Sequence, residues 1–186
     1  MELSFGQRID PETNLVESWF THGALDSIKE MDLSDKVVWM WGAGMGDAWL
    51  SRRCKKLYIV ERVQEWIYKN IELLAANGVT NVEYIHRPCD DCSGHDAMYC
   101  DIPEGIDADV IIVDDAYRYE CIVKAIEYSK TRFQGIILIV DNWQQDYVFL
   151  CPAAEELLKD VQKKIYLQAD HTDHSGKPWQ TLIAYL

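Results

Sequence analysis

Val37-Val38-Trp39-Met40-Trp41-Gly42-Ala43-Gly44-Met45-Gly46 is an apolar run entering a turn with a glycine at every second position, and residues 47–53 can open a helix behind it. Glycines remove Cβ atoms, so the backbone can turn sharply and approach a nucleotide-like ligand, while the helix start offers free N–H groups. A strand, a glycine turn and a helix make the first unit of an α/β sheet that binds ligands beyond its carboxyl edge. The next strand-like run, Leu57-Tyr58-Ile59-Val60, closes on Glu61, with Arg62 beside it. A carboxylate at that strand tip is placed to accept ribose hydroxyls.

Outward from this core the same rhythm continues. Residues 82–85 read as a short strand after the Asn77-Gly78 helix stop, and residues 110–113 and 136–140 are apolar runs closed by acids. Residues 63–76 place Trp66, Ile67, Ile71, Leu74 and Ala75 at helical spacing, and residues 121–128 begin another amphipathic helix. After Pro152 a helix is expected to about residue 161, and then strands at 164–168 and 180–186 flank a polar loop. The expectation is a Rossmann-like, doubly wound α/β fold with a seven-stranded, mostly parallel sheet and an antiparallel last strand. One domain over residues 1–186 is expected, with residues 1–30 as an N-terminal helical extension whose Trp19 and Phe20 pack on the sheet.

The chain has 186 residues, of which 18 are basic and 31 acidic, for a net charge of −13. That balance disfavours a duplex nucleic acid or an anionic membrane surface, because phosphate binding draws on clustered basic side chains. The run Arg52, Arg53, Lys55 and Lys56 reads as a solvated helix end. No stretch approaches the length of a spanning helix and no leader pattern opens the chain, so a cytoplasmic protein is expected. A small-molecule substrate follows as the expected partner, and a homodimer stays open.

The glycine turn, the acid at 61 and the acid-tipped runs at 110–115 and 137–142 resemble the class I S-adenosylmethionine-dependent methyltransferases, in the same order from residue 37 onward. The resemblance implies that Trp41, Gly42, Ala43, Gly44, Gly46, Glu61, Arg62 and Asp114 contact S-adenosylmethionine, and that Asp90, Asp91 or, more distantly, Asp101 meets the adenine. Met40 stands where that family usually has an acid, two positions before the first glycine. A dinucleotide oxidoreductase is the competitor, but its glycine spacing is G-x-G-x-x-G. A catalytically silent binding module on the same fold is the other alternative.

Asp114, Asp141 and Asn142 further resemble the metal-binding set of the catechol O-methyltransferases, which implies a Mg²⁺-assisted O-methylation with hard oxygen ligands. Tyr117 occupies the place of that family's lysine base, so Tyr117 or Asp115 is a candidate catalytic group beside Asp114. His171 and His174, in the polar loop between the last two strands, are equally placed as candidate general bases. Cys89, Cys92, His95 and Cys100 form a C-x2-C-x2-H-x4-C series. Its spacing departs from the zinc knuckle, and it is read as an ordinary loop of reduced thiols rather than a zinc site.

Overall fold

The computed structural model of the chain describes residues 7–89, 97–115, 117–144, 150–172 and 176–186. Its strands β1 (Val37–Trp41), β2 (Lys56–Glu61), β3 (Val82–His86), β4 (Val110–Val113), β5 (Ile137–Val140), β6 (Gln162–Thr172) and β7 (Pro178–Tyr185) form one 7-stranded sheet in the order β3-β2-β1-β4-β5-β7-β6. The first five pair in parallel, and β7 runs antiparallel to both β5 and β6. This is the expected doubly wound sheet with its reversed last strand. Helix α1 (His22–Glu30) precedes β1, and α2 (Asp47–Ser51), α3 (Gln64–Ala76), α4 (Ala97–Cys100) and α5 (Arg118–Ser129) join the parallel strands. Helix α6 (Leu150–Leu157) leads into β6.

β1, β4 and β5 are apolar at nearly every position because helices cover both faces of the sheet. Successive side chains alternate between those faces. On one side Trp39 and Trp41 pack with Ile111, Val113, Leu138 and Val140 against Tyr99, Cys121 and Ile122. On the other, Val38 and Met40 join Leu57, Ile59, Ile112 and Ile139 against Phe20, Leu25, Ile28, Trp49 and Leu50. The Trp49 indole N–H is satisfied by Asp10 at 2.7 Å, so a large apolar ring is buried without an orphaned donor.

Several boundaries differ from the sequence expectation: α6 spans Leu150–Leu157 and β7 spans Pro178–Tyr185, and three further differences have a physical reason. Among the described residues of the N-terminal extension helix is confined to His22–Glu30, and Ile9 pairs with Val16 in an isolated antiparallel bridge. There the Asp10 carboxylate accepts the Glu12 N–H at 2.9 Å, a local turn that competes with helix. α5 begins three residues before its apolar periodicity, with polar Arg118 on its first turn. β6 outruns its apolar stretch because it is an edge strand, and a register shift lies between Gln168 and Thr172. Among the described residues no helix is long and apolar enough to cross a membrane.

Candidate functional site

The strand order reverses between β1 and β4, since the chain leaves β1 toward β2 and β3 and returns on the opposite side. Loops diverge there and leave a crevice at the carboxyl ends of the strands. A cavity of about 570 Å³ occupies it. It is lined by the glycine turn, the tips of β2, β4 and β5, Ser18, Trp19 and Phe20 ahead of α1, and His171 and Trp179 from β6 and β7.

The glycines of the turn have different reasons to be there. Gly42 has φ +96°, and a Cβ on it would lie 2.3 Å from the Asp114 carbonyl oxygen, so this glycine lets the β1 and β4 ends come together. A Cβ on Gly46 would meet the Ser18 Cα at 2.3 Å, so the third glycine, which also lines the cavity, admits the N-terminal segment. Only Gly44 faces open space, with no atom within 4 Å of its Cβ position.

Glu61 is 5% exposed, and its carboxylate accepts the Ala43 N–H at 2.8 Å and the Val63 N–H at 2.7 Å. The acid therefore locks the glycine turn to the β2 tip while lining the cavity. Arg62 lines it too, and its Nε donates to Asp115 Oδ1 at 3.3 Å. Tyr99 also donates to Asp115, which holds this carboxylate from the core side.

Asp114 and Asp141 follow the paired residues Val113 and Val140, so two acids stand on adjacent strand tips. Burial pushes the Asp114 carboxyl up to about 7; Arg118 pulls the other way, while Asp115 and Glu61 add to the rise. Asp141 is raised well above the usual carboxylate range, by burial first and by Asp114 second. Its Oδ1 accepts both the Trp179 indole N–H at 3.1 Å and the Thr181 hydroxyl at 3.0 Å.

Arg118 sits among the three residues expected to hold a metal, Asp114, Asp141 and Asn142. Its guanidinium donates to Asn142 Oδ1 at 2.9 Å and Asp114 Oδ1 at 3.4 Å, and to the main-chain oxygens of Asp141 at 2.9 Å and Asp115 at 2.7 Å. A fixed guanidinium thus supplies positive charge at these tips, and Asp141 Oδ1 is held by an indole and a hydroxyl. Among the described residues no group of three His, Cys, Asp or Glu side chains is arranged to hold a metal.

Two other candidates also sit elsewhere. Trp41 is fully buried in the core and donates its indole N–H to the Tyr99 carbonyl at 3.1 Å, so it does not wall the cavity. Tyr117 is buried against Tyr99, with ring centroids 5.3 Å apart, and its hydroxyl meets Cys89 Sγ. His171 does line the cavity, its ring 4.9 Å from that of Trp179. Asp90, Asp91, Cys92, His95 and His174 lie outside the described residues. Of the remaining cysteines in the series, Cys100 faces Cys121 across 3.6 Å rather than Cys89.

Sequence reasoning passed over Asp47, Arg118 and Trp179 as site residues. Asp47 is 1% exposed on the cavity wall, accepts the Gly44 N–H at 3.0 Å and the Tyr84 hydroxyl at 2.7 Å, and is pushed up to about 8 by burial. Its position directly after the third glycine was the available signal. Arg118 follows Asp114 at i,i+4, the spacing at which side chains meet on a helix. Trp19, expected to pack on the sheet, instead keeps 42% of its surface exposed and lines the cavity, edge-on to Trp179.

No protein-family model matches the chain, and no curated protein matches it. Solved structures share its fold. Precorrin-6y C5,15-methyltransferase from Geobacter metallireducens superposes with a TM-score of 0.59 at 15% identity, over 96% of this chain and 97% of that chain. An rRNA methylase from Streptococcus thermophilus gives 0.58 at 18%, over 89% and 95%. TYW2 of M. jannaschii, in complex with AdoMet, gives 0.56 at 13%, over 100% and 88%. At these identities the likeness establishes the fold, the Rossmann-like fold of the class I methyltransferases.

Proposed function

We propose that the chain is an S-adenosylmethionine-dependent methyltransferase acting on a small molecule at oxygen. The observation that carries this reading is convergence: the open face of Gly44, the Glu61 carboxylate and the acids at the β4 and β5 tips all line one cavity. The fold shared with methyltransferases supports it. Bound there, S-adenosylmethionine supplies a methyl group made electrophilic by its sulfonium. Glu61 accepts the ribose hydroxyls, and the Gly44 backbone allows close approach. Asp47, buried directly after the turn, meets the amino group that Met40 leaves open at β1, and the bound ammonium favours the ionised form that burial opposes in the empty protein.

Asp114 lines the cavity at the β4 tip and is raised close to neutrality, which suits a general base at physiological pH. It takes the hydroxyl proton as that oxygen attacks, and His171, which also lines the cavity, is the alternative base. Arg118 holds the two acidic tips at fixed separation, so rate arises chiefly from positioning. A cytoplasmic location fits Cys54, Cys89, Cys100 and Cys121, all free thiols among the described residues.

Calorimetry tests the cofactor assignment. S-adenosylmethionine and S-adenosylhomocysteine are expected to bind and NAD is not. Glu61→Gln should weaken binding by about 10- to 100-fold, the worth of one charge-assisted hydrogen-bond pair at about 1.5–3 kcal/mol. Undiminished affinity in that variant contradicts the ribose role. Methyl transfer to a panel of hydroxyl compounds is expected to survive a chelator, because Arg118 supplies the charge at the strand tips; a rate abolished by chelation and restored by Mg²⁺ would reverse that conclusion.

A further inference from the structure

The charges on the cavity wall are lopsided. Asp47, Glu61, Asp114, Asp115 and Asp141 all line it, and among its described lining residues Arg62 is the one arginine or lysine, already drawn to Asp115. A bound cofactor of the proposed kind engages the acids around the glycine turn, on the β1 side. Asp141 stands apart from them at the β5 tip, two strand positions beyond β1 and about 10 Å away at the usual interstrand spacing.

Asp141 is 3% exposed, yet the groups that hold its carboxylate oxygen, the Trp179 indole and the Thr181 hydroxyl, are neutral. Arg118 addresses the Asp141 main-chain oxygen, with its other contacts going to Asp114, Asp115 and Asn142. That one cation is shared among these groups, and burial and Asp114 still raise the Asp141 carboxyl well above the usual carboxylate range, so a bound cation would favour its charged form. Beside it the wall is aromatic. The Trp19 ring meets the Trp179 ring edge-on at 6.0 Å and 79°, and Trp19 keeps 42% of its surface exposed. A half-exposed indole in a cavity lined by carboxyl groups attracts organic cations through the ring quadrupole and charge together, and disfavours anions.

We propose that the small-molecule substrate carries an ammonium or similar organic cation, which the cavity seats against Asp141 and the indoles of Trp19 and Trp179. The assignment rests on the methyltransferase reading above and names its substrate class. It leaves the methyl-accepting hydroxyl near Asp114 and uses the cation as the handle that orients it.

The test uses the full chain saturated with S-adenosylhomocysteine and three probes that share a phenyl ring and differ in charge: phenethylammonium, 2-phenylethanol and 3-phenylpropanoate. Calorimetric titration is expected to show the ammonium binding about tenfold tighter than the alcohol, with the carboxylate weakest, the size of effect one partly buried charge contact gives. Asp141→Asn, which keeps an acceptor for Trp179 and Thr181, should remove that preference while affinity for the alcohol and for S-adenosylhomocysteine is unchanged. Trp19→Leu, at a half-exposed position outside the core, should lower ammonium affinity about threefold. Equal binding of the three probes, tighter binding of the alcohol or carboxylate, or no ammonium binding at millimolar concentration overturns the assignment. Failure to bind S-adenosylhomocysteine is a separate result, and it removes the methyltransferase reading itself.

Discussion

Asp47 and Asp114 hold their protons toward neutral pH, at about 8 and about 7, because burial disfavours their charged forms. In the unfolded chain an aspartate releases its proton near about pH 3.9. Between those values the folded state binds more protons, so stability is greatest at the acid end of the window and falls as pH rises through the folded values. Thermal unfolding of the ligand-free protein should therefore show a lower midpoint at about pH 8.5 than at about pH 5.5, and Asp47→Asn should flatten the decline. A midpoint that climbs with pH across that range would refute the assignment of these two groups. Residues of this kind were half legible. Asp114 and Asp141 announce themselves as the ends of apolar runs, whereas Asp47 looks like an ordinary helix-opening acid until folding brings Tyr84 and the Gly44 amide against it. Trp41 and Tyr117 misled for the converse reason: closeness in sequence to a site says nothing about which face of the sheet a side chain takes.

At the scale of elements, the glycine turn separates three demands that its sequence merges into one pattern. Gly46→Ala drives a Cβ into the Ser18 backbone, which has no flexible end to yield, and should cost about 1–3 kcal/mol in denaturant titration. Gly44→Ala meets nothing, so its stability should stay within about 0.5 kcal/mol of the parent while cofactor affinity falls. Equal destabilisation by the two substitutions would show the turn to be shaped otherwise. The alternation of strands and helices was readable because parallel strands covered on both faces are uniformly apolar. Edge strand β6 was readable only over its central part, since its outer residues need no apolar character.

For the molecule as a whole, charge narrows the substrates. Fold relatives include an rRNA methylase, but this chain carries a net charge of −13, and its cavity wall is acidic. Duplex DNA and RNA should show no retention in a filter-binding titration even at low salt, where phosphate contacts are strongest. Salt-sensitive binding of either would contradict the small-molecule reading. The strand order has a different consequence, for the protein's synthesis. β7 sits between β5 and β6, and the Thr21 amide hydrogen-bonds to the Thr181 hydroxyl, so early and late segments close on each other. While the nascent chain is still in the ribosome, β6 emerges before the strand that is to flank it. Until residues 178–185 follow, both β5 and β6 present unsatisfied edges, which makes this interval the one in which a chaperone would matter most.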